Sequence, residues 1–459
     1  MKSKKEKFLS IILILTLVVS IGFSGIIFGC KAEEVAAPAE EEVAAPAEEE
    51  VAAPAEDEVE EVIEEKEPVT IEWVQWFEGS SKEGTIEALI SEFEAEYPNI
   101  KVEAVNLPFG EVRNQVITNV VAGNVPDVIG MNPPWMAEFV ELGVLEPLED
   151  YIANDPNLNA SELHQAPMAK YQGHTWMVPY TVSTFVLFYN QTLFTEAGLD
   201  GTPTNWAEIR EYAQLLTDVD KGQYGFTMFM NEQPPTNGSI VIMYPFIYAA
   251  GGKTIVDGVP SVKDPAILET VQLLADLHED GSVIPGTTSK PEVQMVEEFA
   301  NGNIAMMVEN TAHIGTLANR NPDLDYGLVV IPSIDGSHDP VLRHHGWELG
   351  MSASSEHKEE AWTFISWLVS KEPNSKIAQD SSNIPGNLAA DVSFYDDVPQ
   401  LVQAIDIIAN YEMLEELMVT PKATARWQAL TIETLKMLSG EQTPEDVIVN
   451  TQTAWDEID

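Results

Sequence analysis

The chain has 459 residues, with 75 acidic against 23 basic side chains and a formal net charge of −52. So acidic a surface repels phosphate backbones and anionic headgroups, which argues against nucleic acid as a partner and against a charge-driven membrane surface. Apolar residues, 44% of the chain, suffice for buried cores; the length fits two α/β lobes; and one cysteine, Cys30, allows neither an internal disulfide nor a cysteine-built metal site.

Lys2, Lys4, Lys5 and Lys7 precede an uncharged run over 8–29, the layout of an export signal. The run closes on Ile27-Phe28-Gly29-Cys30, which resembles the lipobox of bacterial lipoproteins, although Phe28 stands where a small residue is usual. That resemblance implies a signal peptide over 1–30, a diacylglyceryl group on Cys30, and an exported protein held at the outer face of the membrane. An uncleaved membrane-spanning helix is the alternative, since the run nears the ~20 residues needed to cross a bilayer. EEVAAPAE then occurs three times between Glu33 and Glu56. Repeated Ala-Pro and like charges cannot pack a core, so 31–67 reads as a disordered linker reaching on the order of 100 Å.

From residue 68 the pattern becomes globular. Alternation predicts a strand over 69–76; Ile86, Leu89, Ile90 and Phe93 recur at helical spacing, and Pro98-Asn99 stops that helix before a strand over 100–105. A helix over 111–121 and a short buried strand over 126–130 follow, so the first lobe reads as a parallel α/β unit. The alternation resumes with a strand over 184–189, helices over 206–216 and 265–279, and a strand over 304–308. Residues 326–331 read as a crossing strand, and the chain beyond Glu356 as mainly helical, with Trp362, Phe364, Ile365 and Leu368 on one face.

An ordered set of short motifs runs through this region: Pro126-Asp127-Val128, Leu142-Gly143-Val144-Leu145, Val178-Pro179-Tyr180, Leu187-Phe188-Tyr189-Asn190, Ala197-Gly198-Leu199, Ala250-Gly251-Gly252, FANGNIAMMV over 299–308, and Glu360-Ala361-Trp362. Together they resemble the extracellular solute-binding proteins of the maltose-binding type (family 1), known in ABC sugar transport. The resemblance implies a two-lobed periplasmic-binding-protein fold (type II), hinged, with C-terminal helices. It places one lobe at about 68–181 and 331–383 and the other at about 183–329 and 384–459, with crossovers near 181–183, near 330–333 and after Asn383. It further implies a monomer that captures a small solute, a mono- or oligosaccharide, for ABC transporter permease subunits, without cofactor or catalysis. Closure on a ligand that touches both lobes follows from its higher affinity for the closed state.

A sugar needs amide or carboxylate partners for its hydroxyls and flat aromatic platforms for its C–H faces. The resemblance points to Trp76, Glu78, Asn132, Trp135, Tyr180 and Ser183 from the first lobe and its crossover. It points to Glu232, Asn310, His313 and Trp427 from the second, and to Trp347 and Glu348 on the returning strand. Trp73, Trp176, Trp206, Trp362 and Trp367 read as core. Ala312 stands where maltose-binding relatives carry an aromatic nearby, which counts against maltose itself. Gly252-Lys253-Thr254 lacks the first glycine of a phosphate loop, Asp218-Val219-Asp220 lacks the closing glutamate of a calcium loop, and His344 and His345 point to opposite faces of a strand. A tethered glycan hydrolase and a binder of polyamine, peptide or glycerol phosphate are the competing readings; only five arginines in the chain count against an anionic ligand.

Overall fold

β1 (Val69–Gln75) pairs in parallel with β2 (Ile100–Asn106) and, on its other edge, with β3 (Val128–Met131). The helices Thr85–Glu96 and Phe109–Ala122 make the two crossovers. This computed structural model describes residues 68–227, 229–231 and 242–458, with Leu417 and Met418 described by backbone alone. Cys30, the 31–67 linker and Glu232 therefore lie outside the described residues. Helix Thr85–Glu96 buries Ile86, Leu89 and Phe93 against the sheet, while Ile90 is half-buried at its margin. All four residues of β3 are buried, as expected of a strand covered on both faces.

The sheet continues through two long strands. β4 (Val178–Asn190) starts well before the expected 184, and β5 (Tyr224–Thr227), β6 (Ile304–Asn310), β7 (Tyr326–Val329) and β8 (Leu342–Met351) extend the main sheet, in the order β2-β1-β3-β8-β4-β6-β5, with β7 also paired to β4 and the two-residue strands Ile384–Pro385 and Met413–Leu414 paired to β4 and β8. β8 runs antiparallel to both β3 and β4, so the sheet is mixed, whereas β5 and β6 are parallel. Side chains fix the helix starts of the second half. Asn205 caps Trp206–Leu215 by accepting from the Glu208 amide, and Asp264 caps Pro265–Glu279 by accepting from the Ala266 amide, each worth about 1 kcal/mol. The Ala250-Gly251-Gly252 stretch ends the helix Tyr244–Ala249 with Gly251 at φ 72°, and a two-residue strand, Ile255–Val256, follows. No helix among the described residues is long and apolar enough to cross a membrane.

Two separate hydrophobic cores form on this sheet. The first gathers Ile71, Trp73, Phe93, Val128, Phe139, Val178, Leu349 and Phe364; the second gathers Val186, Phe188, Phe226, Phe246, Leu274, Phe299, Met306 and Trp455. β4 belongs to both, with Tyr180 in the first core and Val182 in the second, and β8 returns with Leu342 in the second and Trp347 in the first. A short strand, Ile384–Pro385, makes a third passage beside β4 at Val182 and Thr181.

One passage differs from the sequence reading. Residues 326–331 do not cross: β7 pairs with the far half of β4, from Leu187 to Asn190, and Ile331 still packs in the second core. An apolar run cannot say which core receives it, and here the crossing falls to β8, whose ten residues are long enough to reach both.

β4 and β8 slip register where they cross. Trp347 faces Thr181 and Glu348 faces Pro179, which leaves Tyr180 as the extra residue of a bulge. Just before it, a Cβ on Gly346 would strike the Thr181 carbonyl oxygen. Gly346→Ala is therefore expected to lower stability by about 1–3 kcal/mol in a denaturant titration; an unchanged midpoint would show that the strands separate freely here.

Candidate functional site

The crossing strands bring loops of both cores face to face. The turn Pro133–Trp135, which follows β3, lies against Glu416–Val419 and the helix Ala423–Leu438 of the second core. Aromatic rings fill the first-core side of this junction. Trp76 meets Phe109 at 5.2 Å and Trp135 at 5.5 Å edge-on, Phe109 stacks on Trp135 at 5.4 Å, and Trp347 stacks on Phe77 at 4.7 Å with Tyr180 beside it.

A second set of groups is polar and buried. Arg343 pairs with Glu415 at 2.7 Å, both side chains almost wholly enclosed, and its guanidinium lies 4.9 Å from the centre of the Phe185 ring. One residue on, His344 Nε2 lies 3.0 Å from Glu348 Oε1, and both side chains are fully buried. Burial, followed by the Glu415 charge, raises the Glu348 carboxyl well above the usual range, while burial, followed by His345 and Arg343, holds His344 well below it. Both shifts favour the uncharged forms of the pair. Tyr244, whose helix packs on β8, keeps its phenol proton, because burial and then Glu415 push its titration well above the ordinary range.

Several of these atoms have no hydrogen-bond partner among the described residues: Glu348 Oε2, His344 Nδ1, Arg343 Nη1, Tyr244 Oη, Tyr180 Oη and Asn132 Oδ1. A buried polar atom left unpaired costs roughly 1–3 kcal/mol, and folded proteins keep few. Here they gather where the two cores meet. A cavity of about 670 Å³ is walled by His164, Gln165 and Ala169 of the first core and by Lys253, Tyr411, Glu415 and Glu416 of the second. A larger cavity of about 1040 Å³ lies on the outer face of the first core, against Trp362 and Trp367. The smaller one is the candidate site because both cores wall it and its wall residue Glu415 is the ion-pair partner of Arg343 in the buried polar set.

His164 gives this wall a pH signature. Burial pushes its imidazole down to about 4. Below about pH 6.5 the unfolded chain takes up a proton that the folded one refuses, so stability falls as pH drops from 6.5 towards 4 and is complete above that window. His164→Gln is expected to flatten the pH dependence of the melting temperature there; an identical slope in the variant would remove His164 as its source.

The residues singled out in the sequence divide into groups. Trp76, Trp135, Tyr180 and Trp347 share one aromatic cluster. Asn132 begins the turn against the second core, and Glu78, in the turn after β1, keeps Oε2 buried and unpaired among the described residues. Ser183 Oγ lies 3.3 Å from His345 Nδ1. Asn310 spends its amide oxygen capping the turn Thr311–His313, at 2.8 Å from the Ala312 amide. His313 stands beside Glu292 and Glu309. Trp427 is buried in the second core, on the helix that touches the Trp135 turn. Trp73, Trp176, Trp206 and Trp362 are buried and Trp367 is half-buried. Residues missed were Phe77, Phe109, Tyr244, Arg343, His344 and Glu415. The pair His344-His345 was the one signal available: its members do diverge, one to Glu348 and the other to Ser183.

Comparison with known proteins supplies the context for this geometry. Residues 79–375 match the model of the bacterial extracellular solute-binding protein family. A binding protein of Brucella abortus is 27% identical over 319 residues, 68% of this chain and 74% of that one. The maltotriose-binding protein of Pyrococcus abyssi is 25% identical over 311 residues, 65% of this chain and 62% of that one. Among solved structures, an ABC transporter solute-binding protein of Thermotoga lettingae, bound with α-D-tagatose, superposes with a TM-score of 0.72 at 23% identity, covering 86% of this chain and 100% of that one.

Proposed function

Because the chain belongs to the bacterial extracellular solute-binding proteins, a family of substrate-binding proteins and not of enzymes, we propose that it takes a neutral polyhydroxylated solute, a sugar or polyol, into the cavity between its two cores. The observation that carries this reading is the convergence of unpaired buried donors and acceptors at that junction. A protonated carboxyl, a neutral imidazole and a phenol both give and accept hydrogen bonds, as vicinal hydroxyls require. A phosphorylated solute fits poorly: Arg343 is already bound to Glu415, and Glu415 and Glu416 face the cavity with Lys253 as the one cationic side chain among its walls.

The two cores act as the lobes of a hinge about β4, β8 and Ile384–Pro385, and an ABC importer reads their closure. Trp76, Glu78, Asn132, Trp135, Tyr180, Ser183, Glu232, Asn310, His313, Trp347, Glu348 and Trp427 remain the ligand contacts we assign, now with Tyr244 and His344. Cys30 carries the lipid that tethers a monomer through the 31–67 linker, and no bond of the solute is broken. Mass spectrometry of the small molecule released on unfolding tests the reading. An unmodified sugar or polyol is expected; a peptide, a polyamine or a phosphate ester would replace the solute class, and conversion of an added glycan would replace binding by hydrolysis.

A further inference from the structure

Glu309, the penultimate residue of β6, has its carboxylate enclosed, Glu292 opens the helix Glu292–Ala300, and His313 closes the turn that follows β6. One ligand atom from each falls within 4.8 Å of the others. His313 Nε2 is 3.7 Å from Glu292 Oε1 and 3.9 Å from Glu309 Oε1. Both are ion-pair separations, longer than the about 2.7–3.2 Å between the heavy atoms of a direct hydrogen bond. They approach instead the spacing of ligands around a shared ion, since donors held ~2.0 Å from a tetrahedral centre stand roughly 3.3 Å apart. The backbone amide of Asn310 also binds Glu309 Oε1, at 2.7 Å, which fixes the carboxylate's orientation towards the cluster.

We propose that Glu292, Glu309 and His313 form a site for a divalent transition-metal ion, of which Zn²⁺ is the best match. Two carboxylates and an imidazole suit zinc or manganese; calcium and magnesium prefer all-oxygen shells with more ligands. All three ligands belong to the second half of the sheet, and Asn310 and Thr311, between Glu309 and His313, contact β4 at Phe185 and Thr184. The ion would therefore stiffen the point where β4 leaves the second core. None of the three residues walls the cavity between the cores, but His313 is also among the solute contacts assigned above, so zinc and solute binding are read separately and Glu292→Gln, which alters no assigned solute contact, is the cleaner variant.

The test uses the untagged protein, stripped with a chelator and titrated with Zn²⁺ by calorimetry, with Co²⁺ absorption as a second readout of the ligand field. One equivalent should bind, and Glu292→Gln and His313→Gln should each weaken binding roughly 10- to 100-fold or more. The side chains of His313 and Glu292 are 27% and 22% exposed, and melting curves of the variants check that each exchange leaves the fold intact. Absence of a stoichiometric site, affinity unchanged in both variants, or displacement by equimolar Ca²⁺ would each overturn the assignment. Sugar titration of the stripped protein is scored separately, so a protein that binds solute but not zinc overturns this site alone.

Discussion

Arg343→Met should destabilise the protein by about 1–4 kcal/mol, because it takes the Arg343 cation away from the Glu415 carboxylate in an enclosed setting. The guanidinium also lies over Phe185, and that contact is lost as well. Removing both charges is a different experiment. Arg343→Met combined with Glu415→Leu should recover most of the loss, since a buried ion pair repays little more than its own desolvation. Urea unfolding of the two single variants and the double variant measures the coupling. If Arg343→Met alone melts like the parent, the pair is solvated and the crossing strand is not anchored by charge.

Tyr244→Phe separates binding from folding. The phenol oxygen is buried and has no partner among the described residues, so its deletion should leave stability unchanged or raise it by up to about 1 kcal/mol. Solute affinity should fall about tenfold or more, the worth of one hydrogen bond made only in the complex. A structural role would give the opposite pattern, a lower melting temperature at constant affinity. Opposite signs in the two measurements thus distinguish a group kept for the ligand from one kept for the fold.

Much of this architecture was legible because local chemistry and tertiary environment agree. Helix Pro265–Glu279 begins at a proline after a capping aspartate and buries Ile267, Val271, Leu274 and Leu277 at helical spacing, so pattern and cap mark the same start. β4 was legible only in part: Pro179 and the hydroxyl residues Thr181, Ser183 and Thr184 disguise its first half, which is nonetheless fully buried because β8 and Ile384–Pro385 pair with it. Residues 326–331 show the limit of periodicity, which fixes a strand but not its partner. The aromatic candidates Trp76, Trp135, Tyr180 and Trp347 came from family resemblance, and they do meet in space. Arg343, Glu415 and Tyr244 were invisible because their meaning lies in contacts between distant segments. Glu292 and Glu309 were hidden likewise, among 75 acidic residues that no spacing rule separates.

Capture between two cores makes one demand that simple globular stability does not: the right small molecule must hold them together. Thermal unfolding across a panel of neutral sugars and polyols tests that demand most directly. One chemical class should raise the midpoint by several degrees, corresponding to about 2.7 kcal/mol when the solute is present at 100 times its dissociation constant. A midpoint that no member of the panel moves would contradict the account.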